Sequence, residues 1–547
     1  MVQTLTLLDL PVDIFYQILY YFKDVGASFD LDHVWRKEEN IARQQSIRNL
    51  RLVCRCLCEL ASPLLFPILK VSIDSKSLSI AEAISQSPWI RQGVGSVHVF
   101  LDYYPAQLAQ DIAAFADFRR NQLQELSRHC DYYAETWFLG GYDSDDETIC
   151  ALPKRVYDSA MGNCQSIVAA WSKYVDPECK HEIDKKQKEY QEILQQGFDE
   201  IGQRHLDQQQ LIMSGDFVRR LAACIARMPN AHSLAFYDDR NRMRRLDDNP
   251  TTILNDKERL RDLMVMPVTW ELFEKLGYEG AEILPAKMFS DLPIGIHKAG
   301  GILQQLVIGC FPLFGDYSVL TPHLEGAGWA DLGTAFEHLT VFEIGKGSMS
   351  NLPIRRDYLD AEVQRRITNY LGAALSSTNL EVVDFNLRVL GINDGTKNSR
   401  KGHSRIGPSL SDVRWPRIRR IRFLHVELNQ EDLESFCHGL GDCLEDVYLS
   451  GVTLQDGSWA TILDILREKV AKRCSEGRCR LIFSGLDGGE LVAKDPRINE
   501  SIWEDLLIGK NTVDFDFEEP QNIVEAQKYV CGDGVSENPL RMKITRQ

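Results

Sequence analysis

The chain has 547 residues, 44 % of them hydrophobic, with 62 basic against 79 acidic side chains and a formal charge of −17. That length and apolar content suit a folded protein of several domains or one extended repeat array, and exclude a disordered chain. The acidic balance argues against general nucleic-acid binding, which needs positive surface to displace counterions from phosphates. At the start, "MVQTLTLLDLPVDIF" has no basic leader, and Asp9, Pro11 and Asp13 interrupt its apolar run, so it does not read as a secretory signal. Apolar runs such as "LVIGCFPLFG" fall well short of the roughly 18 residues of a membrane span. Fourteen cysteines without paired spacing read as reduced thiols, so the expectation is a soluble protein of the cytoplasm, the nucleus or both.

A first helix is predicted to open at Pro11, where a missing N–H costs nothing, with Ile14, Phe15, Ile18, Leu19 and Phe22 along one face. A second carries Ile47, Leu50, Val53, Leu57 and Leu60 at steps of three or four, and stops at Ser62–Pro63. Within it, Cys54, Cys56 and Cys58 are separated by single residues. Zinc and redox pairs use wider gaps, so these thiols are expected to act as small apolar side chains that pack the helix. A unit of this size has too little core to stand by itself.

"LPVDIFYQILYYF" followed by "LRLVCRCLCELASPLLF" resembles an F-box of the fungal type, through Leu10, Pro11, Ile14, Ile18, Leu19, Leu52, Val53, Cys54, Arg55 and Leu60. Leu57 stands where that pattern often has Trp. Residues 23–45 form an insertion where the family has a short turn, so the F-box would occupy residues 1–66. The resemblance implies docking on the Skp-type adaptor, and through it on a cullin, in a Skp–cullin–F-box ubiquitin ligase. Leu10, Pro11, Ile14, Ile18, Leu19, Leu52, Val53, Cys54, Leu57 and Leu60 would make that contact.

Downstream, the spacing apolar-x-x-apolar-x-apolar recurs. Clear copies are Leu303/Leu306/Ile308, Leu339/Phe342/Ile344, Leu380/Val383/Phe385, Ile418/Ile421/Phe423 and Leu444/Val447/Leu449. Weaker ones are Phe66/Leu69/Val71, Val94/Val97/Val99 and Ala231/Leu234/Phe236. The copy at Ile418 continues in step with Val426 and Leu428, and that at Leu444 with Val452 and Leu454. Helical segments precede several copies, so the expected class is α/β: short parallel strands on a concave side and helices outside. This resembles the irregular leucine-rich repeats attached to many F-boxes, over residues 67–485; a generic α/β domain is the alternative. Residues 101 to about 230 read as a helical insertion rather than a coiled-coil arm, because Gly197 and Gly202 weaken a seam. "GGYDSDDETIC" reads as an acidic loop, and residues 486–547 as a loosely packed acidic tail or cap.

Motifs of chemistry are missing from the sequence. "GKGSMS" lacks the spacing of a phosphate loop, no Gly-x-Ser-x-Gly elbow occurs, "HEIDK" lacks the second His of a zincin helix, and "DSDDE" is not a calcium loop. The expectation is no enzyme, no cofactor and no metal. "RNRMRR" at 240–245 is flanked by acidic pairs and reads as a charge-balanced loop more than a nuclear signal. "RWPRIRRIRF" falls on a repeat strand, so Ile421 and Phe423 should face the core and Arg420, Arg422 and Leu424 the other side. In the same register Val307, Glu343, Asp384, Arg422 and Tyr448 form one row, with Asp384 beside Arg422 and Arg420 beside Asp446. These are either exposed ion pairs or a recognition surface for a protein target, made of Glu343, Asp384, Arg420, Arg422, Asp446 and Tyr448. The functional expectation is a substrate-recruiting F-box subunit of a ubiquitin ligase. The alternative is a non-degradative leucine-rich-repeat interaction protein or scaffold.

Overall fold

All eight recurring apolar stretches are strands. The computed structural model describes residues 13, 14, 17, 19, 37–138, 154–176, 184–238, 250–270, 283–311, 317–345, 361–386, 407–411, 413–424, 426–491 and 520–541. In chain order the strands are β1 Ile68–Ser72, β2 Ser96–Phe100, β3 Ser233–Tyr237, β4 Gln305–Ile308, β5 Val341–Ile344, β6 Val382–Asn386 and β7 Arg420–Leu424. They continue as β8 Glu427–Leu428, β9 Asp446–Ser450, β10 Thr453–Leu454, β11 Arg480–Ser484 and β12 Asp487–Gly488. Nine of them make one sheet in the order β1-β2-β3-β4-β5-β6-β7-β9-β11, so every strand lies beside its chain neighbours within the sheet. All of its pairs are parallel. The short β8, β10 and β12 form a second parallel sheet, the continuation foreseen at Leu428 and Leu454.

Register follows from the apolar spacing. Leu234, Leu306, Phe342, Val383, Ile421 and Val447 stand side by side across the sheet, and Phe236, Ile308, Ile344, Phe385, Phe423 and Leu449 make the next row. Both rows are buried in one continuous core with the intervening helices. A one-residue slip would turn each row to the other face and expose it, so the pattern specifies the pairing. β11 was not foreseen. Its row residues Leu481 and Phe483 are present, but Arg478 occupies the position where the other strands begin with an apolar side chain.

The helices between β2 and β3, Ile112–Phe138, Lys154–Val175, Lys185–Met213 and Asp216–Ala226, belong to that same core. Trp171 donates its indole N–H to the Tyr190 carbonyl at 2.9 Å. Gln208 donates to the Asp102 carbonyl at 2.6 Å, next to the end of β2. Gly197 is a contact rather than a weak point of a seam: a Cβ there would lie 2.5 Å from Cβ of Met264, so only glycine lets the Lys185–Met213 helix approach Lys257–Met264 so closely.

The second expected helix, carrying Ile47 to Leu60, is broken into two. One helix runs Lys37–Arg51, starting inside the 23–45 insertion, and a second runs Arg55–Ala61. Between them Cys54 is extended (φ −160°, ψ 169°), and its sulfur accepts the Leu57 N–H, capping the second helix. The chain turns here so that Ala61 and Leu65 can return onto Ile47 and Leu19, a small core of their own. Cys56 is exposed and Cys54 and Cys58 are half-buried, so none of the three is the buried packing residue that was expected. Leu10, Pro11 and Ile18 lie outside the described residues.

The C-terminal stretch is not a loose tail throughout. A helix Gln521–Cys531 packs against the Trp459–Ser475 helix and β11, burying Ile523, Ala526, Tyr529 and Val530. No described helix is long and apolar enough to cross a membrane.

Candidate functional site

Two surfaces carry the residues singled out in the sequence. The first is the N-terminal helical unit. Leu57 is 1 % exposed, and Leu19 is buried in the small core with Ile47, Ala61 and Leu65, so neither presents its side chain to a partner. Leu60 is half-buried against the same small cluster. At the helix break the situation reverses: Leu52 is 85 % exposed and Val53 66 %, and Ile14 also faces solvent. Single exposed apolar residues are ordinary, but two adjacent ones at a capped turn are costly to leave in water. Arg51, next to them, is held by a hydrogen bond to Ser62 Oγ at 2.9 Å, which fixes the turn from behind.

The second surface is the sheet face opposite the main core. Asp384 and Arg422 are partners in register, as are Arg420 and Asp446. Glu343 stands beside Asp384, and Tyr448 beside Arg422, so the expected row is intact. The side-chain contacts run diagonally. Arg422 donates to Asp446 Oδ2 at 3.2 Å, and Arg420 Nε lies 3.8 Å from the same oxygen. Arg480, on β11, adds a forked pair to Asp446 at 3.1 and 3.2 Å. Asp446 is thus the centre of three guanidinium groups, and the side chain is only 12 % exposed. Partial burial pushes its carboxyl up, but hydrogen bonds and charge from Arg480 and Arg422 outweigh this and hold it below the usual carboxylate range.

A carboxylate offers about four acceptor sites and each guanidinium about five N–H donors, so Asp446 leaves most of these donors to other partners. Arg480 is the member that sequence reasoning missed, because β11 itself was missed; Leu481 and Phe483 in step with Val447 and Leu449 were the available signal. Nearby, Arg419 lies 3.7 Å from Glu381 and 3.6 Å from Glu445, outside the cluster.

Farther toward β2 the same face becomes apolar. Phe100, Ala235 and Tyr237 form a separate buried cluster with Val307 packed on it. His98 is buried there in register with Lys70, and burial, with the charge of Lys70, depresses its imidazole to about 4. Burial likewise raises the Tyr237 hydroxyl, helped by the Glu343 carboxylate. The "RNRMRR" and "GGYDSDDETIC" stretches lie outside the described residues. Among the described residues, no group of three or more His, Cys, Asp or Glu is arranged to hold a metal ion. Comparison with protein-family models, with curated proteins and with solved structures finds no match to this chain.

Proposed function

We propose that the protein is a substrate-recruiting F-box subunit of a Skp–cullin–F-box ubiquitin ligase, with a leucine-rich-repeat-like solenoid as its target-binding part. The observation that carries this reading is the exposed Leu52–Val53 pair on a helical unit with its own small core. A protein surface that keeps two neighbouring apolar side chains in water gains free energy when a partner covers them, at about 25 cal/mol per Å² before association costs. The order of the nine parallel strands, each beside its chain neighbour, supports the solenoid part. In this reading the protein positions partners and performs no covalent chemistry.

The arginine cluster on β7 and β11 supports an acidic or phosphorylated target segment, because a guanidinium fork matches carboxylate and phosphate oxygens. Asp446 would orient the three groups and neutralise part of their charge.

Two captures with the full-length protein test the reading. Leu52→Ala/Val53→Ala is expected to weaken capture of the Skp-type adaptor at least about tenfold while the protein stays folded, since both side chains are exposed. Unchanged capture by the folded variant removes the F-box assignment. Arg420→Ala/Arg422→Ala is expected to keep adaptor binding and lose acidic targets in a salt-dependent manner. Equal affinity for the same targets would move recognition elsewhere on the sheet face.

A further inference from the structure

The negative charge of the chain is not spread evenly. Residues 41–66 hold four arginines, Arg43, Arg48, Arg51 and Arg55, against a single acidic residue, Glu59. This stretch is therefore net positive within a chain of −17. Along the Lys37–Arg51 helix, Ile41, Gln45 and Arg48 recur at steps of four and three, and Leu52 follows after another four. At about 100° per residue these positions make one stripe, on the side away from Ile47 and Leu50, which pack in the small core. The Leu52 N–H returns to the Asn49 carbonyl at 3.0 Å and the Val53 N–H to that of Leu50 at 3.3 Å. The chain thus keeps a helical path for one more turn and brings Leu52 onto the end of the stripe, with Val53 next to it.

Guanidinium groups stand on both sides of the exposed apolar pair. Arg48 precedes Leu52 by about one helical turn, is exposed, and makes no hydrogen bond or ion pair among the described residues. Arg55 follows Val53 by two residues; its side chain is 93 % exposed, with Glu59 at 3.1 Å. An ion pair that open to water is weak, so Arg55 can exchange Glu59 for another carboxylate at little cost. Arg51, in contrast, is committed to Ser62 on the inner side of the turn.

We propose that the N-terminal unit docks on an acidic protein surface, where an apolar pocket takes Leu52 and Val53 and carboxylates on its border meet Arg48 and Arg55. The inference rests on the adaptor reading above and adds the chemistry of the adaptor's face. The two kinds of side chain act at different moments. Leu52 and Val53 bury apolar area once the complex has formed, so they slow dissociation. Arg48 and Arg55 act before contact, because opposite charges steer the encounter. For a chain of −17 this steering also orients: an acidic partner is repelled by most of the surface and attracted at the one unit that carries the exposed apolar pair. An anionic bilayer would feel the same arginines. Ile41, Leu52 and Val53, however, do not make the continuous apolar face with which a helix lies in a bilayer interface.

The test follows association of the full-length protein with purified Skp-type adaptor by stopped flow, at about 0.05 M and about 0.5 M salt. The wild-type association rate should fall about tenfold between the two; a flat salt profile overturns the proposal. At the lower salt, Arg48→Glu/Arg55→Glu should associate about tenfold more slowly than the wild type, with dissociation changed by no more than about twofold. At the higher salt the gap should close to about twofold. Arg128→Glu/Arg219→Glu makes the same change of net charge at side chains 70 % and 61 % exposed, on helices outside the unit. It should stay within about twofold of the wild type, and equal slowing by this control overturns the proposal in favour of net charge alone. If the wild type does not bind the adaptor, the ubiquitin-ligase reading and this inference fall together. If Leu52→Ala/Val53→Ala weakens binding while Arg48→Glu/Arg55→Glu associates as fast as the wild type, the reading stands and only the inference falls. Wild-type protein that sediments with vesicles of phosphatidylcholine and phosphatidylserine, and ceases to do so in Arg48→Glu/Arg55→Glu, overturns it in favour of a bilayer. Should the charge variants fail to fold, the wild-type salt profile still decides.

Discussion

The two ends of the chain treat their apolar side chains in opposite ways. The Gln521–Cys531 helix buries its whole apolar face and finishes the sheet: the Gln527 side-chain oxygen accepts the Phe483 N–H on β11 at 2.9 Å. An edge strand with free N–H groups invites pairing with another chain, and this helix blunts that edge. Tyr529 donates to Asp464 at 2.6 Å, and Arg467 stacks on its ring at 4.4 Å, so the closure is held by polar as well as apolar contacts. The N-terminal unit closes only a small cluster around Leu19, Ile47, Ala61 and Leu65 and leaves Leu52 and Val53 outside it. One end closes its apolar face within the molecule; the other leaves two neighbouring apolar side chains exposed.

The sharpest way to break this contrast is to spoil the closed end. Val530→Asp places a carboxylate in a fully buried position and should destabilise the protein by about 3–5 kcal/mol in urea unfolding. A change under about 1 kcal/mol would show the cap to be dispensable. Next in size is a pH effect at the other end of the sheet. His98 titrates near 4 when folded, against a usual 6.5 when unfolded. Its contribution is therefore complete above about pH 6.5 and is lost as the pH falls through that window, worth up to about 3 kcal/mol. The urea midpoint of the wild type should fall between pH 7 and 4.5 more steeply than that of His98→Leu. Equal slopes would mean that His98 is solvated.

Smaller again is Asp446→Ala, which removes the carboxylate shared by Arg420, Arg422 and Arg480. Because these arginines are half-exposed and screened, the loss in stability should be about 1 kcal/mol, while affinity for an acidic peptide rises. A fall in that affinity would show that Asp446 orients the arginines more than it competes for them. Smallest is Leu52→Ala/Val53→Ala, expected within about 0.5 kcal/mol of the wild type in the same unfolding assay, in contrast to its effect on capture. A larger loss would mean that these side chains pack within the protein, and the two ends would then be alike.

How much could be read in advance depended on how local the cause was. Repeated apolar spacing announced eight strands because each must place two side chains in one core row, and lateral matching of those rows then set the register that puts Asp384 beside Arg422. β11 escaped because Arg478 breaks the spacing at its first position, and with it went Arg480 and the true centre of the charge cluster. The break at Leu52–Cys54 was also hidden. No Pro or Gly marks it, and Leu50, Val53 and Leu57 keep helical spacing straight through it.

The sequence by itself determined the α/β class, the rows of the sheet and which strand faces are apolar, since period-two burial is a property of a few consecutive residues. Only tertiary packing decided where the N-terminal helix stops, because the return of Ala61 and Leu65 onto Ile47 outweighs continued helical spacing. It alone decided that Asp446 serves three arginines from two strands, and that the Gln521–Cys531 helix closes on β11. Such meetings depend on which elements lie side by side after long connections, and no local periodicity encodes that.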